Sequence, residues 1–466
     1  MTESLLSVGI DIGTSTTQLV LSRLHLQNRA NPFSVPDIAI SEKEIFYRSA
    51  VHFTPLSSPI RIDAPAIRSI VDQEYKTSGI DKSKIQTGAV IITGETARKE
   101  NAAEVVKELS GYAGDFVVAT AGPDLEGELA ARGAGAAQWA KELNQPLIHI
   151  DIGGGTSNFA VFEDGELTDT GCINVGGRLI RLSPTNEVEW ISPVLSGLCQ
   201  LNIGDTATLT QLEDIAAMLS KALEEAAGKR PTTDLSRRLI TNRLPKIPAE
   251  NPAFSFSGGV GALIEKANTM PPLTYSDLGV ILAKHIRASR LTEGAYRVCP
   301  DAIRATVIGA GCHATSLSGS TIFHRDVEFP MRGLPVACLN RAESTAPSNA
   351  LSEAIWRKLG RLHSHDGAPV AALSLDLPEA PDFSTLCHLA DGIISAWPPG
   401  MPIVTVTRAD CAKALGQTLA CRLPSTRGIV CLDALRLQPG SSLDIGAPVA
   451  DGSALPVVIK TLILST

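Results

Sequence analysis

The chain has 466 residues, 44% hydrophobic and 19% charged, which excludes a small stapled scaffold and extensive disorder and predicts two to four domains at about 100–200 residues each. Its 41 Lys and Arg against 49 Asp and Glu leave a net charge of −8, so no basic field gathers nucleic acid. Nine cysteines without a Cys-x-x-Cys pair argue for reduced, mostly buried thiols rather than a zinc ribbon or disulfide framework. The start Met1-Thr2-Glu3-Ser4 lacks a basic leader, and no run approaches about 18 apolar residues, so a cytoplasmic protein without a membrane partner is expected.

The first element is Ile10-Asp11-Ile12-Gly13-Thr14-Ser15-Thr16-Thr17-Gln18-Leu19-Val20, an apolar strand running into an Asp, a Gly/Ser/Thr turn and a second strand. The pattern returns as Ile150-Asp151-Ile152-Gly153-Gly154-Gly155-Thr156-Ser157-Asn158-Phe159-Ala160. Each copy predicts a β-hairpin with a polar tip, and the repeat predicts two equivalent halves facing each other. At such tips Gly13, Gly153, Gly154 and Gly155 let backbone N–H groups converge on an anion, and the hydroxyls of Thr14, Ser15, Thr16 and Thr156 add donors. Asp11 and Asp151 would repel phosphates unless a cation intervened, which makes Mg²⁺ held largely through waters the expected companion. For either copy alone the alternative is an ordinary glycine turn with a solvated Asp.

Between the copies, Val90-Ile91-Ile92 reads as a strand running into Thr93–Lys99. A helix follows with Ala102, Val105, Val106 and Leu109 inward and Gly111 as its stop, then the apolar run Val117-Val118-Ala119. The segment from Pro123 to Leu143 centres on Gly133-Ala134-Gly135-Ala136-Ala137. Small residues inside a helix cost stability, which makes sense where two helices cross closely, with Gly135 permitting the contact. Thr210-Gln211-Leu212-Glu213 has the capping-box pattern and opens a helix with Leu212, Ile215, Ala216, Leu219 and Leu223 inward. Residues 229–252 read as an exposed excursion. Phe254–Ser257 is a strand entering a turn and helix; Gly258, Gly259 and Gly261 would let a flat base or ribose lie on the backbone, the alternative being a generic βα turn. Val307–Ala314 is a second small-residue segment, a partner for the first; it also fits the G-x-G-x-x-G dinucleotide pattern, with Asp326 and Glu328 near the ribose spacing. From about Gly333, strands at Val370–Leu375, Ile403–Val406 and Ile429–Leu432 alternate with helices near 384–396 and 408–419, predicting a third, smaller α/β structure.

In this order, the two Asp hairpins, the two small-residue segments and the Ser257–Gly261 turn resemble the actin, heat-shock 70 and sugar-kinase superfamily. The resemblance implies an α/β, actin-like ATPase fold of two duplicated lobes around a nucleotide cleft. The lobes would span residues 1–145 and 146–332, with a return hinge helix near 305–320 and a C-terminal α/β region at 333–466. It implies ATP and Mg²⁺ as ligands, Asp11 and Asp151 as the catalytic and metal-holding carboxylates, Asp11–Thr16 and Asp151–Thr156 as phosphate hairpins, and Ser257–Gly261 as the adenosine turn. Over its whole length the chain is similar to the ethanolamine ammonia-lyase-reactivating family, on the wording Gly9–Thr17 and His149–Ser157. That resemblance implies a slow, chaperone-like ATPase associated with the ethanolamine-utilization microcompartment. Its partner would be adenosylcobalamin-dependent ethanolamine ammonia-lyase, from which it frees damaged cobalamin so that intact coenzyme binds. Arg178, after Gly176-Gly177, departs from heat-shock 70 members, where an acidic residue stands. A sugar-type kinase of the same fold is the competing expectation; it needs a base aimed at an acceptor hydroxyl, and the sequence does not single one out. Glu126 and Glu128 are both candidates for orienting an attacking water.

Overall fold

The computed structural model describes residues 4–30, 38–58, 60–109, 122–313, 316–318, 321–366, 370–435, 437, 439–450 and 452–461; the apolar run Val117–Ala119, the expected helix stop Gly111, and Ala314 lie outside them. The strand Ser4–Ile12 pairs antiparallel with Thr16–Asn28 and parallel with Thr87–Ile92, while Ile38–Arg48 and His52–Phe53 pair with Thr16–Asn28. In a second sheet, Leu147–Ile152 pairs antiparallel with Ser157–Glu163, which pairs with Glu166–Ile173; its other edge pairs parallel with Ala253–Ser257, followed by Tyr296–Val298. Both sheets therefore run third, second, first, fourth from the hairpin that founds each. The strands Thr87–Ile92, at the end of its sheet, and Leu147–Ile152, inside the other, are buried along their whole length, as strands covered on both faces must be. This is the actin-like arrangement of two duplicated α/β lobes.

The helices Pro123–Gly133 and Ala305–His313 cross between the lobes. A Cβ on Gly133 would lie 1.9 Å from the carbonyl oxygen of Ala305, and one on Gly309 would lie 1.9 Å from that of Leu129. Main chain touches main chain there, and a side chain at either glycine would force the helices apart. The second helix also lies against the strand leading to Asp11, where a Cβ on Gly9 would stand 2.3 Å from the carbonyl oxygen of Val307. One continuous helix to Leu143 with Gly135 at the crossing was the expectation, and it is corrected. Gly135 adopts φ +70° and separates a new helix, Ala136–Leu143, so the contact falls to Gly133. The dinucleotide reading of Val307–Ala314 fails for a related reason: Gly309 and Gly311 lie inside a helix, pressed on Leu129 and Gly9, not in a strand-to-helix turn.

Two further expectations shift. The capping box belongs to Thr208 and Gln211, so the helix begins at Leu209, two residues early, and runs to Ala226 with its expected face buried. Residues 229–252 do not stand free: Leu239 is buried, and the backbones of Thr241 and Arg243 bond with that of Cys172. The Arg243 guanidinium reaches Asp169 and, at 3.0 Å, Thr170 Oγ1.

An eight-stranded sheet occupies the rest of the chain, with the parallel strands Met331–Cys338, Ala372–Leu375, Ile403–Thr407 and Ile429–Leu432 at its centre. Its edge strands Ser316–Leu317 and Phe323–Arg325 precede residue 333. Helices Ser348–Asp366, Phe383–Ala396 and Ala412–Ala420 cover one face. The first of these was not anticipated, although buried Leu351, Ala354, Ile355 and Leu359 repeat at helical spacing. This sheet docks on the first lobe: Val449 and Ala454 pack with Leu5, Leu24 and Leu26, and Val458 with Ala89, Ile91, Leu129 and Ala310. Among the described residues no helix is long and apolar enough to cross a membrane.

Candidate functional site

Both hairpin tips close with the same backbone bond, Gly13 N–H to the Thr16 carbonyl and Gly153 N–H to the Thr156 carbonyl, each 2.9 Å. The tips meet across the cleft. A Cβ on Gly154 would stand 2.6 Å from Ser15 Oγ, and one on Gly94 would stand 2.4 Å from Thr14 Oγ1 and 3.7 Å from Thr156 Oγ1. Thr54 and Thr96 brace the first tip by donating to the Gly13 carbonyl at 2.8 and 3.0 Å. The second tip is backed by the next turn, where the N–H groups of Gly177 and Arg178 donate to the carbonyls of Gly153 and Gly154 at 3.0 and 2.6 Å. Of the other glycines expected here, Gly258 has φ +83° and a Cβ on it would lie 2.4 Å from the Ile152 carbonyl oxygen, so packing against the hairpin strand already demands it. Gly259 faces open space, and a Cβ on Gly261 would make an ordinary contact with Phe256.

Three carboxyl groups converge on these tips. Asp11 accepts a hydrogen bond from Thr93 Oγ1 at 3.0 Å; burial lifts it to about 7, with Thr93 opposing and Asp151 adding a smaller push. Asp151 accepts from Ser257 Oγ, and burial lifts it to about 6. Glu126, in the first turn of the helix Pro123–Gly133, is held well above the usual carboxylate range by burial, then by Asp151 and Asp11. Glu128 turns away and pairs with Arg132 at 2.8 Å. Of the two glutamates singled out in the sequence, it is Glu126, not Glu128, that the start of this helix places among the aspartates.

Sequence reasoning missed what stands behind these acids. His149 is buried between Ser255 and Ser257, with ring nitrogens 2.8 Å from each hydroxyl, and burial, aided by Arg297, presses it down to about 3. A neutral ring has one donor. Since Ser257 donates to Asp151, it accepts from His149 Nε2–H, and Nδ1 accepts from Ser255. The signal was present as alternation: His149 and Asp151 share a face of one strand, Ser255 and Ser257 the same face of its parallel neighbour, in register. Two carboxamides were also passed over. Gln18 stands opposite Asp11 and Asn158 opposite Asp151 in their hairpins, and both Gln18 Oε1 and Asn158 Oδ1 are buried without a hydrogen-bond partner among the described residues.

Gly154 offers a direct test of the tip. Its side-chain position is filled by Ser15 Oγ and, at 3.6 Å, Arg178 Cβ, so Gly154→Val should push the tips apart. We expect it to weaken nucleotide binding in calorimetry about tenfold or more, with circular dichroism unchanged; wild-type affinity would remove the hairpin tips from the ligand site.

Two duplicated lobes whose Asp-bearing hairpins meet over an acidic cleft define a protein of the actin-like class. Residues 3–465 match the family described as Ethanolamine utilisation protein EutA, and the chain belongs to that family. It is 35% identical over 468 residues to a Salmonella typhimurium strain LT2 protein named Ethanolamine ammonia-lyase reactivase EutA, covering 99% of each chain. The protein of the same name from Escherichia coli strain K12 is 35% identical over 469 residues, again with 99% of each covered. Among solved structures, the type II variant of the Aquifex aeolicus Ppx/GppA phosphatase is 14% identical and superposes with a TM-score of 0.39 over 66% of this chain and 99% of that one.

Proposed function

We propose that this protein is an ATP-dependent reactivating factor for adenosylcobalamin-dependent ethanolamine ammonia-lyase. The observation that carries the nucleotide half of this reading is the meeting of two repeat-related tips around Asp11, Asp151 and Glu126, acids raised first by burial, with Asp151 adding to Asp11 and both aspartates adding to Glu126. Such a site wants a cation. Among the described residues no three His, Cys, Asp or Glu side chains form a ready-made metal cage, so the donor set suits an ion that keeps its waters, as Mg²⁺ does. Asp11 and Asp151 would hold it through those waters, with Gln18 Oε1 and Asn158 Oδ1 as acceptors for them; bound there, Mg²⁺ supplies charge neutralisation for a phosphate chain. The backbone N–H groups and hydroxyls of Gly13–Thr16 and Gly153–Thr156 bind phosphate oxygens, and Gly259 leaves room for the nucleoside at the Ser257–Gly261 turn. The raised Glu126 carboxyl, in its ionised form, orients a water and takes its proton.

The client half rests on the family and on its named relatives. Releasing a tightly held, damaged cobalamin requires a conformational change driven by differential binding. Residues 1–145 and 146–332, hinged at the glycine crossing, supply two states, one favoured by ATP and one by ADP, while 333–466 rides on the first lobe. The place of action is the cytoplasm, alongside the microcompartment of ethanolamine use.

The test is to incubate the protein with cobalamin-inactivated ammonia-lyase. Turnover should return only with ATP, Mg²⁺ and free adenosylcobalamin together, the damaged cofactor appearing by absorbance in the small-molecule fraction after gel filtration. Cofactor that stays on the enzyme, or that leaves equally well with Asp11→Asn or Asp151→Asn, overturns the reading. ADP formation driven by a sugar would favour the kinase instead.

A further inference from the structure

Arg178 stands directly behind the tip of the second hairpin. Its N–H is bonded to the Gly154 carbonyl at 2.6 Å, and its Cβ and Cγ lie 3.6 and 3.7 Å from the point a Gly154 side chain would occupy. Its guanidinium is poorly served by what surrounds it. Asp277 Oδ2 is 3.8 Å from Nε, beyond hydrogen-bond reach. The ring of Phe53, from the other lobe, lies 5.9 Å from the guanidinium carbon. Nε itself is shielded from solvent and has no hydrogen-bond partner among the described residues. A desolvated, charged donor left unsatisfied is costly.

Asp277 is a poor permanent counter-ion. It already accepts the Gly279 N–H at 2.8 Å, and burial lifts it to about 6 although that bond and Arg178 both pull it down. A second unsatisfied donor sits on the opposite side of the same tip: Ser15 Oγ, from the first lobe, is buried without a partner among the described residues and is 2.6 Å from the Gly154 side-chain position. Two idle donors, one from each lobe, thus flank a single glycine. Converging donors on a bare backbone suit a multivalent oxyanion, and an arginine engages one with paired N–H bonds.

We propose that Arg178 is a phosphate-binding residue that exchanges its loose contact with Asp277 for the phosphate chain of the bound nucleotide, joining Ser15 across the cleft so that closure of the lobes follows the phosphate charge. This rests on the nucleotide reading above.

The experiment is calorimetric titration of adenosine and of Mg·ATP into the full-length wild type, Arg178→Ala, Arg178→Lys and Asp277→Asn. Arg178→Ala should lose about tenfold or more in ATP affinity while adenosine affinity holds within about twofold. Lys, keeping the charge without the fork, should recover part of the loss. Asp277→Asn keeps the acceptor for Gly279 and removes the competitor, so ATP affinity should rise. Unchanged ATP affinity in Arg178→Ala, parallel loss of adenosine and ATP, or an Asp277→Asn variant that weakens ATP as Arg178→Ala does would each overturn the proposal. The Lys and Asn variants keep the test decisive if the alanine variant fails to fold. A wild type that binds neither ligand would defeat the nucleotide reading itself, an outcome distinct from wild-type binding that ignores residue 178.

Discussion

ATP hydrolysis by the Glu126→Gln variant is expected to fall about 10²–10⁴-fold, the usual worth of a positioned general base, while ATP binding persists. The carboxyl is buried at the start of the hinge helix with two aspartates facing it, and such a group takes up a proton more readily than a solvated one. Gln keeps its volume and an oxygen for the Asn158 amide, but it has no proton affinity to offer. Glu128→Gln is the matched control. Its ion pair with Arg132 is an i,i+4 surface pair, worth only about 0.3–0.5 kcal/mol, and its hydrolysis should equal that of the wild type. Single-turnover phosphate release beside calorimetric ATP binding separates the two outcomes; a Glu126→Gln variant that hydrolyses at the wild-type rate excludes this side chain from the chemistry.

Gly309→Val should destabilise the protein by about 3 kcal/mol or more, the upper range for overpacking. A Cβ at 309 would stand 1.9 Å from the Leu129 carbonyl oxygen and 2.5 Å from its carbon, both backbone atoms inside a helix, so relief requires moving the helix. Gly135→Ala supplies the contrast. There the new Cβ would meet only Arg297 Nη2 at 3.5 Å, and the cost is that of a left-handed conformation, about 1–2 kcal/mol. Urea denaturation of both variants should place Gly309→Val well below Gly135→Ala; equal midpoints would mean that the crossing is not held by its glycines.

These residues show where sequence reading works and where it stops. The hairpins were legible because Asp11 and Asp151 each sit at a fixed distance from glycines and hydroxyls, a pattern local to one turn and present twice. The fold followed from that duplication. Gly133 was confused with Gly135 because a left-handed break shifts a helix contact by two residues without altering composition. The choice between Glu126 and Glu128 depends on the rotation of one helix against two sheets. The relay from His149 to Asp151 runs through Ser257, 108 and 106 residues away from them in the chain, and alternation places each pair on one face while only the register of two parallel strands brings the pairs together. Residues 229–252 were read as exposed, and Arg243 is, but its bonds to Asp169 and Thr170 join it to a hairpin far away in the chain, which composition does not reveal.

The docking of Val449, Ala454 and Val458 into the first lobe gives the molecule an unequal build. The end of the chain is bolted to its beginning, so the first lobe and the eight-stranded sheet form a heavy frame, and the sheet of residues 147–298 forms a lighter arm on the far side of the glycine pivot. In the closure proposed above, nucleotide drawing the hairpin tips together would turn the arm against the frame about that crossing. Under that proposal, a rotation about the glycine crossing would carry the outer parts of the arm further than the parts next to the crossing, so a client held there would be moved the most.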